Sequence, residues 1–140
     1  IFELIKLAST ARARSRAGAP EVLSETEFLT LDVLTQHEPV TVGDVQKRIG
    51  VVPAQMSRII RSLENKSGEV LVTCSINPDD RRKVDVRITP KGRQAHEAYR
   101  SLRLGFATEI LGSLGHDDRR RFMGYLNQIH EGLARRLTTQ

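Results

Sequence analysis

A tight-turn sequence followed by two arginines constrains the fold of this chain more than any other feature. The turn, over 77–80, is built of Asn, Pro and Asp residues, and Arg81 and Arg82 follow at once. Alternating apolar and polar residues over 70–76 and 83–88 predict a β-strand on either side of it. The sequence therefore predicts a β-hairpin that presents guanidinium groups near its tip.

The chain before the hairpin has the pattern of helices. The second helix begins with a capping box, in which the Ser24 hydroxyl and the Glu27 carboxylate each satisfy a free backbone N–H. Its core-facing positions are expected at Phe28, Leu31, Val33 and Leu34. A first helix is predicted before a breaker at 18–20, because apolar residues recur there on one stripe. The stripe consists of Ile1, Leu4, Ile5, Ala8 and Ala11.

Two further helices are separated by a glycine turn. Thr41 is the predicted cap of a short third helix, which ends at Gly50 because glycine tolerates the left-handed conformation. Pro53 suits the first position of the fourth helix, where its missing N–H would have had no partner. This is the outline of a helix-turn-helix motif. The core-facing positions are expected at Val42, Val45 and Ile49, and then at Val52, Met56, Ile59, Ile60 and Leu63.

The outer face of the fourth helix is basic and otherwise small. Ala54, Arg58, Arg61 and Asn65 share one sector, flanked by Ser57. Such a surface can lie in the major groove of DNA, where arginines pair with guanine or hold phosphates. A basic face is also an ordinary way to solvate a helix. Its place between a glycine turn and a basic hairpin favours the nucleic-acid interpretation.

Two long amphipathic helices are predicted after the hairpin. Thr89 and Pro90 match the cap and first position of one helix, and Leu114-Gly115 separates it from the next. Their stripes are Ala95, Ala98, Tyr99, Leu102, Phe106 and Ile110, and then Phe122, Leu126, Ile129, Leu133 and Leu137. A small winged domain cannot cover these stripes alone, so a homodimer in which the terminal helices pair is predicted.

Charge and length agree with this outline. The net charge is +5, and residues 40–92 contain ten Lys and Arg residues against six Asp and Glu residues, so most of the excess lies in the middle of the chain. A length of 140 residues suits one compact domain with helical extensions. Because Ile1 is not a methionine, a natural start upstream stays open.

Other classes of protein find little support in the sequence. Cys74 is the single cysteine, so no internal disulfide forms, and it is expected to be half-buried in a strand. No phosphate-binding loop, nucleophile elbow or His-Glu metal motif occurs, and His37 with His96 makes only a faint metal pair. We therefore predict no enzyme, no cofactor and no metal. No membrane span or secretory signal is visible, so a cytoplasmic protein is expected.

These elements resemble the multiple-antibiotic-resistance regulator (MarR) family of winged-helix transcription factors, over essentially the whole chain. Asp80-x-Arg82 followed by Ile88-Thr89-x-x-Gly92 is similar to the family's wing signature, with Ile where Leu is usual. Ser57-Arg58 followed by Leu63-Glu64 is similar to its recognition-helix pattern. The chain departs from the family where 67–69 looks like an insertion, which leaves the register of the first wing strand open.

The resemblance implies a mainly α fold with a small β-hairpin wing. A winged helix-turn-helix core over 23–92 would lie between dimerisation helices over 1–22 and 93–140. The expected function is that of a homodimeric, sequence-specific regulator, a repressor on an inverted repeat of double-stranded DNA. The expected DNA-binding residues are Thr41, Ala54, Gln55, Ser57, Arg58, Arg61, Asp80, Arg81 and Arg82.

In such a complex the recognition helices enter the major grooves and the wing arginines the flanking minor grooves, with Asp80 expected to tether one arginine side chain. A small aromatic or phenolic effector would release the repressor, but its pocket is not defined, Arg14 or Arg16 being only a guess. Two other functions stay open. They are an architectural or nonspecific DNA binder, and a winged-helix module that docks on an acidic protein.

Overall fold

The computed structural model describes residues 2–3, 6–7, 9–10 and 23–138. The six residues near the start have helical backbone. The predicted stripe of the first helix, its end at 18–20 and the guess at Arg14 or Arg16 lie outside the described residues. The chain divides into two compact units, residues 1–102 and residues 103–140.

The part of the chain from 23 to 138 contains five helices and three short strands. In chain order they are α1 (Glu25–Gln36), β1 (Val40–Thr41), α2 (Val42–Ile49), α3 (Pro53–Glu64), β2 (Val72–Ile76), β3 (Val84–Ile88), α4 (Pro90–Ser113) and α5 (His116–Thr138). The strands form one antiparallel sheet in the order β1-β3-β2. This confirms the predicted fold class, mainly α with a hairpin wing. None of the helices in this range is both long enough and apolar enough to cross a membrane.

The predicted helix boundaries follow from local hydrogen bonds. At the start of α1, Oγ of Ser24 accepts from the backbone N–H of Glu27 at 3.2 Å, and Oε2 of Glu27 accepts from the backbone N–H of Ser24 at 2.6 Å. Gly50 ends α2 in the left-handed conformation, with φ of 70°. These caps confirm the predicted starts and stops, because each depends only on residues a few positions apart.

The core of the first unit lies between α1, α2, α3 and the sheet. Its fully buried members are Leu31, Leu34, Val45, Met56, Leu63, Val72 and Val86. Phe28, Val33, Val42, Ile49 and Ala95 pack against this cluster from its edge. Val52 was predicted to face the core, but it is 63% exposed. It is the N-cap residue of α3, so its extended backbone turns the side chain away from the buried stripe.

The strands of the hairpin are shorter than the alternating pattern predicts. The ladder runs from Val72 opposite Ile88 to Ile76 opposite Val84. The backbone of Leu71 is used elsewhere, because its N–H donates to the carbonyl of Leu63 at 2.8 Å and its carbonyl accepts from the N–H of Thr89 at 3.0 Å. These bonds fasten the end of α3 and the start of α4 to the sheet.

The residues before β2 that were predicted to be an insertion, 67–69, belong to a tight turn. Lys66 and Glu69 exchange two backbone hydrogen bonds of 2.9 Å, and Ser67 and Gly68 between them have φ values of 53° and 84°. Two consecutive positive φ angles are typical of a two-residue hairpin turn. This turn ends before the wing strand begins, and the ladder beyond it is regular.

The beginning of α4 packs unusually close to the sheet. A Cβ on Gly92 would lie 2.1 Å from the carbonyl oxygen of Leu71, so only glycine fits there. Thr89 caps the helix as predicted, its Oγ1 accepting from the N–H of Gly92 at 3.0 Å. Further along, His96 and Tyr99 are buried, whereas Ala98 and Leu102 are exposed.

The second unit, 103–140, carries an apolar stripe that is exposed within a single chain. On α5 it includes Phe122, Leu126, Ile129 and Leu133, which are 39–59% exposed. The side chains of Phe106 and Leu137 are outside the description. Within this unit Arg119 fixes the corner between α4 and α5, because its guanidinium donates to the carbonyls of Leu111, Gly112 and Leu114 at 2.9–3.1 Å.

Candidate nucleic-acid interface

The outward face of α3 carries the short polar and basic side chains that the sequence assigned to it. Met56, Ile59, Ile60 and Leu63 are buried in the core, which turns the opposite side of the helix to solvent. The side chains on that side are exposed; they are Ala54, Gln55, Ser57, Arg58 and Arg61. A helix with one anchored apolar face and one open basic face can enter a DNA groove without rearrangement.

A groove of about 560 Å³ lies between α2, α3 and the hairpin. Its polar lining comprises Thr41, Asp44 and Lys47 of α2 and its cap, Ser57, Arg61 and Glu64 of α3, and Arg82 and Lys83 of the hairpin. The groove therefore brings together four of the nine predicted DNA-binding residues, namely Thr41, Ser57, Arg61 and Arg82. Ala54, Gln55 and Arg58 lie on the open face of α3, and Asp80 and Arg81 belong to the turn of the hairpin.

Two basic residues of the groove were missed in the sequence. Lys47 lies in the last turn of α2 and Lys83 follows Arg82, and both line the groove beside Arg61. The run Arg81-Arg82-Lys83 was a visible signal for Lys83. Nothing local marked Lys47, because α3 and the hairpin, which form the rest of the groove, are distant from it in sequence. Four cations face two carboxylates there, so the lining has a positive balance.

Asp44 is one of the two acids in the groove. The Thr41 hydroxyl donates to its Oδ2 at 2.7 Å and holds the pKa of the carboxyl below its usual range, against a smaller opposing effect of burial. Lys47 and Lys83 lower this pKa further. The same hydroxyl accepts from the backbone N–H of Asp44, so Thr41 is oriented by the start of α2.

The turn of the hairpin is ordered by side-chain to backbone hydrogen bonds. Oδ1 of Asn77 accepts from the N–H groups of Asp79 and Asp80 at 3.0 and 2.8 Å. Asp80 was expected to tether an arginine side chain. Its Oδ1 instead accepts from the backbone N–H of Arg82 at 3.1 Å, and its Oδ2 lies 3.7 Å from Nζ of Lys83. Among the described residues, the partners of this carboxylate are therefore a backbone N–H and the Lys83 ammonium group.

A buried carboxylate anchors the carboxyl end of α3. Glu27 of α1 is 4% exposed and accepts from the Ser62 hydroxyl at 2.5 Å and from Nζ of Lys66 at 3.0 Å. Burial by itself raises the pKa of Glu27, but hydrogen bonds from Ser62, Ser24 and Lys66 outweigh it, so the net pKa lies below the usual value. The carboxylate stays ionised at neutral pH and ties the capping box of α1 to α3.

Cys74 lies on β2 at the inner side of the groove. It is half-buried, as the sequence predicted. Burial raises the pKa of its thiol to about 11, and the negative charge of Glu64 adds to the effect. Because the thiolate is the reactive form, this cysteine is mostly protonated and reacts slowly at neutral pH.

The two histidines of the faint metal pair have other surroundings. Nε2 of His96 lies 2.8 Å from Oδ1 of Asp32, and its ring stacks on Phe28 with centroids 5.0 Å apart. His37 is the exposed residue that ends α1. Over the described residues, no three side chains of the metal-binding types come together.

Comparison with known proteins extends these observations. Residues 23–84 match the MarR family. Over 111 residues the chain is 24% identical to the uncharacterized HTH-type transcriptional regulator YdgJ of Bacillus subtilis (strain 168), and over 112 residues it is 31% identical to YwaE, a regulator of the same description and organism. The matches cover 79% of this chain but 66% and 63% of these relatives, somewhat less than two thirds of their length. Both names describe regulators, which agrees with the prediction that the chain is not an enzyme.

Solved structures share the fold. A MarR family protein from Bacillus stearothermophilus has a TM-score of 0.74 at 19% identity, covering 94% of this chain and 90% of that one. FabT of Streptococcus pneumoniae, solved in complex with DNA, has 0.71 at 20% identity, with 94% and 90% covered. The PcaV transcriptional regulator of Streptomyces coelicolor, solved with its natural ligand, has 0.63 at 16% identity, with 91% and 89% covered.

Proposed function

We propose that the chain, of which residues 23–84 match the MarR family, is a DNA-binding transcription regulator of that family that reads an inverted repeat as a homodimer. The observation that carries the proposal is the groove between α2, α3 and the hairpin. Arg61 from the helix and Arg82 from the hairpin line the same groove, and Arg58 stands on the open face of α3. One protomer would thereby present a major-groove helix and a minor-groove wing on one side.

Each exposed group has a role in this complex. Arg58 and Arg61 face base edges or phosphates together with Gln55, and the small side chains of Ala54 and Ser57 let α3 approach the bases. Arg82 and Arg81 reach into the flanking minor groove, where A/T-rich sequence concentrates negative potential. Thr41, at the start of α2, faces the backbone of the DNA, and its hydroxyl would exchange its hydrogen bond to Asp44 for one to a phosphate. FabT, a neighbour of the same fold, was solved with DNA, which supports this arrangement.

A homodimer would bury the apolar stripe of α5. Soluble proteins seldom leave so many large apolar residues of one helix open to water. A symmetric dimer would cover the stripe and would also supply the second recognition helix that an inverted repeat requires. The two α3 helices must then lie about one helical turn of DNA apart, roughly 34 Å.

Control by a small molecule follows from the same geometry. A ligand that stabilises another separation of the two recognition helices lowers the affinity for DNA by population shift. PcaV was solved with its natural ligand, which supports an effector-released repressor of this kind. We expect a small aromatic or phenolic effector, acting in the cytoplasm.

Binding-site selection from random DNA, followed by fluorescence anisotropy, tests the proposal. The chain should bind the selected duplex more tightly than a scrambled duplex at physiological salt. Arg58→Ala and Arg61→Ala should each cost about 1–3 kcal/mol of binding free energy if they contact bases. Equal affinity for scrambled DNA would indicate an architectural binder instead. No affinity for any duplex would indicate a module for an acidic protein partner.

A further inference from the structure

The two arginines of the hairpin turn are not oriented through their own side chains. Arg81 and Arg82 are exposed, and within the described part of the chain neither guanidinium makes a hydrogen bond or an ion pair. Their direction is therefore set by the backbone of the turn that carries them. A turn whose backbone is already ordered in the free protein loses less conformational entropy when the wing binds.

One side-chain amide holds this backbone. Oδ1 of Asn77 accepts from the N–H groups of Asp79 and Asp80, and Asp80 in turn accepts from the N–H of Arg82. The backbone N–H of Asn77 donates to the carbonyl of Lys83 at 3.0 Å and closes the turn. A continuous series of hydrogen bonds thus leads from Asn77 to Arg82.

The amide is anchored in the sheet by its other atom. Nδ2 of Asn77 donates to Oδ1 of Asp85 at 2.7 Å. Asp85 is 5% exposed and lies on β3, the central strand, opposite Thr41 on one side and Ser75 on the other. Burying the Asp85 carboxylate costs desolvation free energy, and the hydrogen bond from Asn77 offsets part of this cost. Breaking the bond would leave the buried oxygen unpaired, so the Asn77–Asp85 hydrogen bond is expected to persist.

Asparagine is the residue type that this position requires. Its amide donates through nitrogen to a carboxylate and accepts through oxygen from two N–H groups. Aspartate would keep the acceptor but would place a second carboxylate oxygen against Asp85, at the 2.7 Å now spanned by a hydrogen bond. Alanine would lose both connections.

We propose that the Asn77–Asp85 pair, in which the half-buried Asn77 amide meets the buried Asp85 carboxylate, positions the wing and fixes the turn so that Arg82 meets the DNA groove in one direction. The inference rests on the proposed DNA-binding function and adds two residues that touch no DNA. Asn77 acts through the backbone of the turn, and Asp85 acts through Asn77.

Exchanging the two side chains tests the pair without changing the net charge. Four variants are compared with the wild type: Asn77→Ala, Asn77→Asp, Asp85→Asn and the exchange Asn77→Asp/Asp85→Asn. The first measurement is affinity for the selected duplex with A/T-rich or G/C-rich flanks. The second is hydrogen exchange at the N–H groups of Asp79 and Asp80 in the free protein. The third is the melting temperature.

In the expected result, Asn77→Ala and Asn77→Asp weaken binding to the A/T-flanked duplex about tenfold and reduce the flank preference. The N–H groups of Asp79 and Asp80 then exchange faster. The Asn77→Asp/Asp85→Asn protein recovers to within about threefold of the wild type, because carboxylate and amide again face each other. The single variant Asp85→Asn measures how removing the Asp85 charge changes DNA affinity. The double-mutant cycle formed by the variants subtracts this effect.

Three results would overturn the inference. The first is an Asn77→Asp/Asp85→Asn protein that binds DNA as weakly as Asn77→Asp, and the second is an Asn77→Ala protein that keeps the wild-type flank preference. The third is an Asn77→Ala protein that loses affinity equally for both flanks and melts at a lower temperature, as expected of a residue that only stabilises the fold. A wild type that binds no duplex would instead overturn the proposed function. Hydrogen exchange at Asp79 and Asp80 would still decide whether the pair orders the turn.

Discussion

Arg82 and Arg87 carry the same charge and lie five positions apart in sequence, but in different surroundings. Arg82 lines the groove beside Arg61, whereas Arg87 is exposed on β3 opposite Thr73 and does not line it. From charge alone, the two arginines would be expected to contribute equally to DNA binding. Because only Arg82 lines the groove, we expect its contribution to be larger.

Arg82→Ala should weaken binding on the order of tenfold and reduce the preference for A/T-rich flanks, because a guanidinium in a narrow minor groove is lost. Arg82→Lys should recover part of the affinity but less of the preference, since an ammonium lacks the planar fork. Anisotropy titrations with both flanks provide the measurement. Arg87→Ala is the matched control, and a flank preference that falls equally in both variants would contradict the docking.

Gly92 gives a prediction about stability. Gly92→Ala should lower the free energy of unfolding by about 1–3 kcal/mol or more, because the added methyl meets the Leu71 carbonyl and the Ile88 side chain. Gly105→Ala in the same helix meets nothing within 4 Å and should stabilise the chain by about 0.5–1 kcal/mol. Urea unfolding compares the two. A Gly92→Ala protein as stable as the wild type would refute the close approach.

At the scale of elements, α3 is held at its carboxyl end by a residue of another helix. Glu27 on α1 joins Ser62 and Lys66, which are 35 and 39 positions away in sequence. The core fixes the rotation of α3 through its apolar stripe. The ionised carboxylate adds a directional contact where that stripe ends.

The lowered pKa of Glu27 predicts a dependence of stability on pH. A carboxyl whose pKa is lower in the folded chain stabilises the fold above its unfolded pKa of about 4.5, and this contribution disappears as the pH falls through the folded pKa. Glu27→Gln should therefore cost about 1–3 kcal/mol at pH 7. In urea unfolding from pH 7 to pH ~3, the difference from the wild type should shrink only below about pH 4.5. A constant difference over that range would exclude an ionised Glu27.

The elements predicted correctly are those that depend on neighbouring residues. Ser24, Thr41, Gly50 and Thr89 cap or end their helices as expected, because a cap involves residues within one turn. The ends of the strands were overestimated, since the carbonyl of Leu71 is recruited by Thr89, which lies 18 positions away in sequence. Alternation alone cannot predict such a contact.

The candidate interface could be predicted only in part for the same reason. The open face of α3 follows from helical periodicity, so Arg58 and Arg61 could be assigned from spacing. The contribution of Lys47 and the true partner of Asp80 depend on how α2, α3 and the hairpin meet. Val52 was misplaced because its position continues the stripe on paper but precedes the first turn of the helix.

At the scale of the whole molecule, the proposed dimer should depend on the apolar stripe of α5. Ile129→Glu puts a charge on that stripe, at a side chain 59% exposed in the single chain. It should convert the dimer to monomer in sedimentation and lose most of the affinity for an inverted repeat, because both half-sites must be held together. Gln128→Glu adds the same charge to a neighbouring exposed position off the stripe and should leave the dimer intact. A dimeric Ile129→Glu protein would mean that α5 does not form the interface.

The protonated, half-buried state of Cys74 has a practical consequence. A thiol with a pKa of about 11 reacts slowly with maleimides at neutral pH, and it is the single cysteine of the sequence. A second cysteine placed on the exposed turn at Asp79 could thus be tagged selectively with a fluorophore or spin label, with the native thiol left in place. In the proposed dimer, distances between two such reporters would follow the separation of the two hairpins as operator duplex or effector is added.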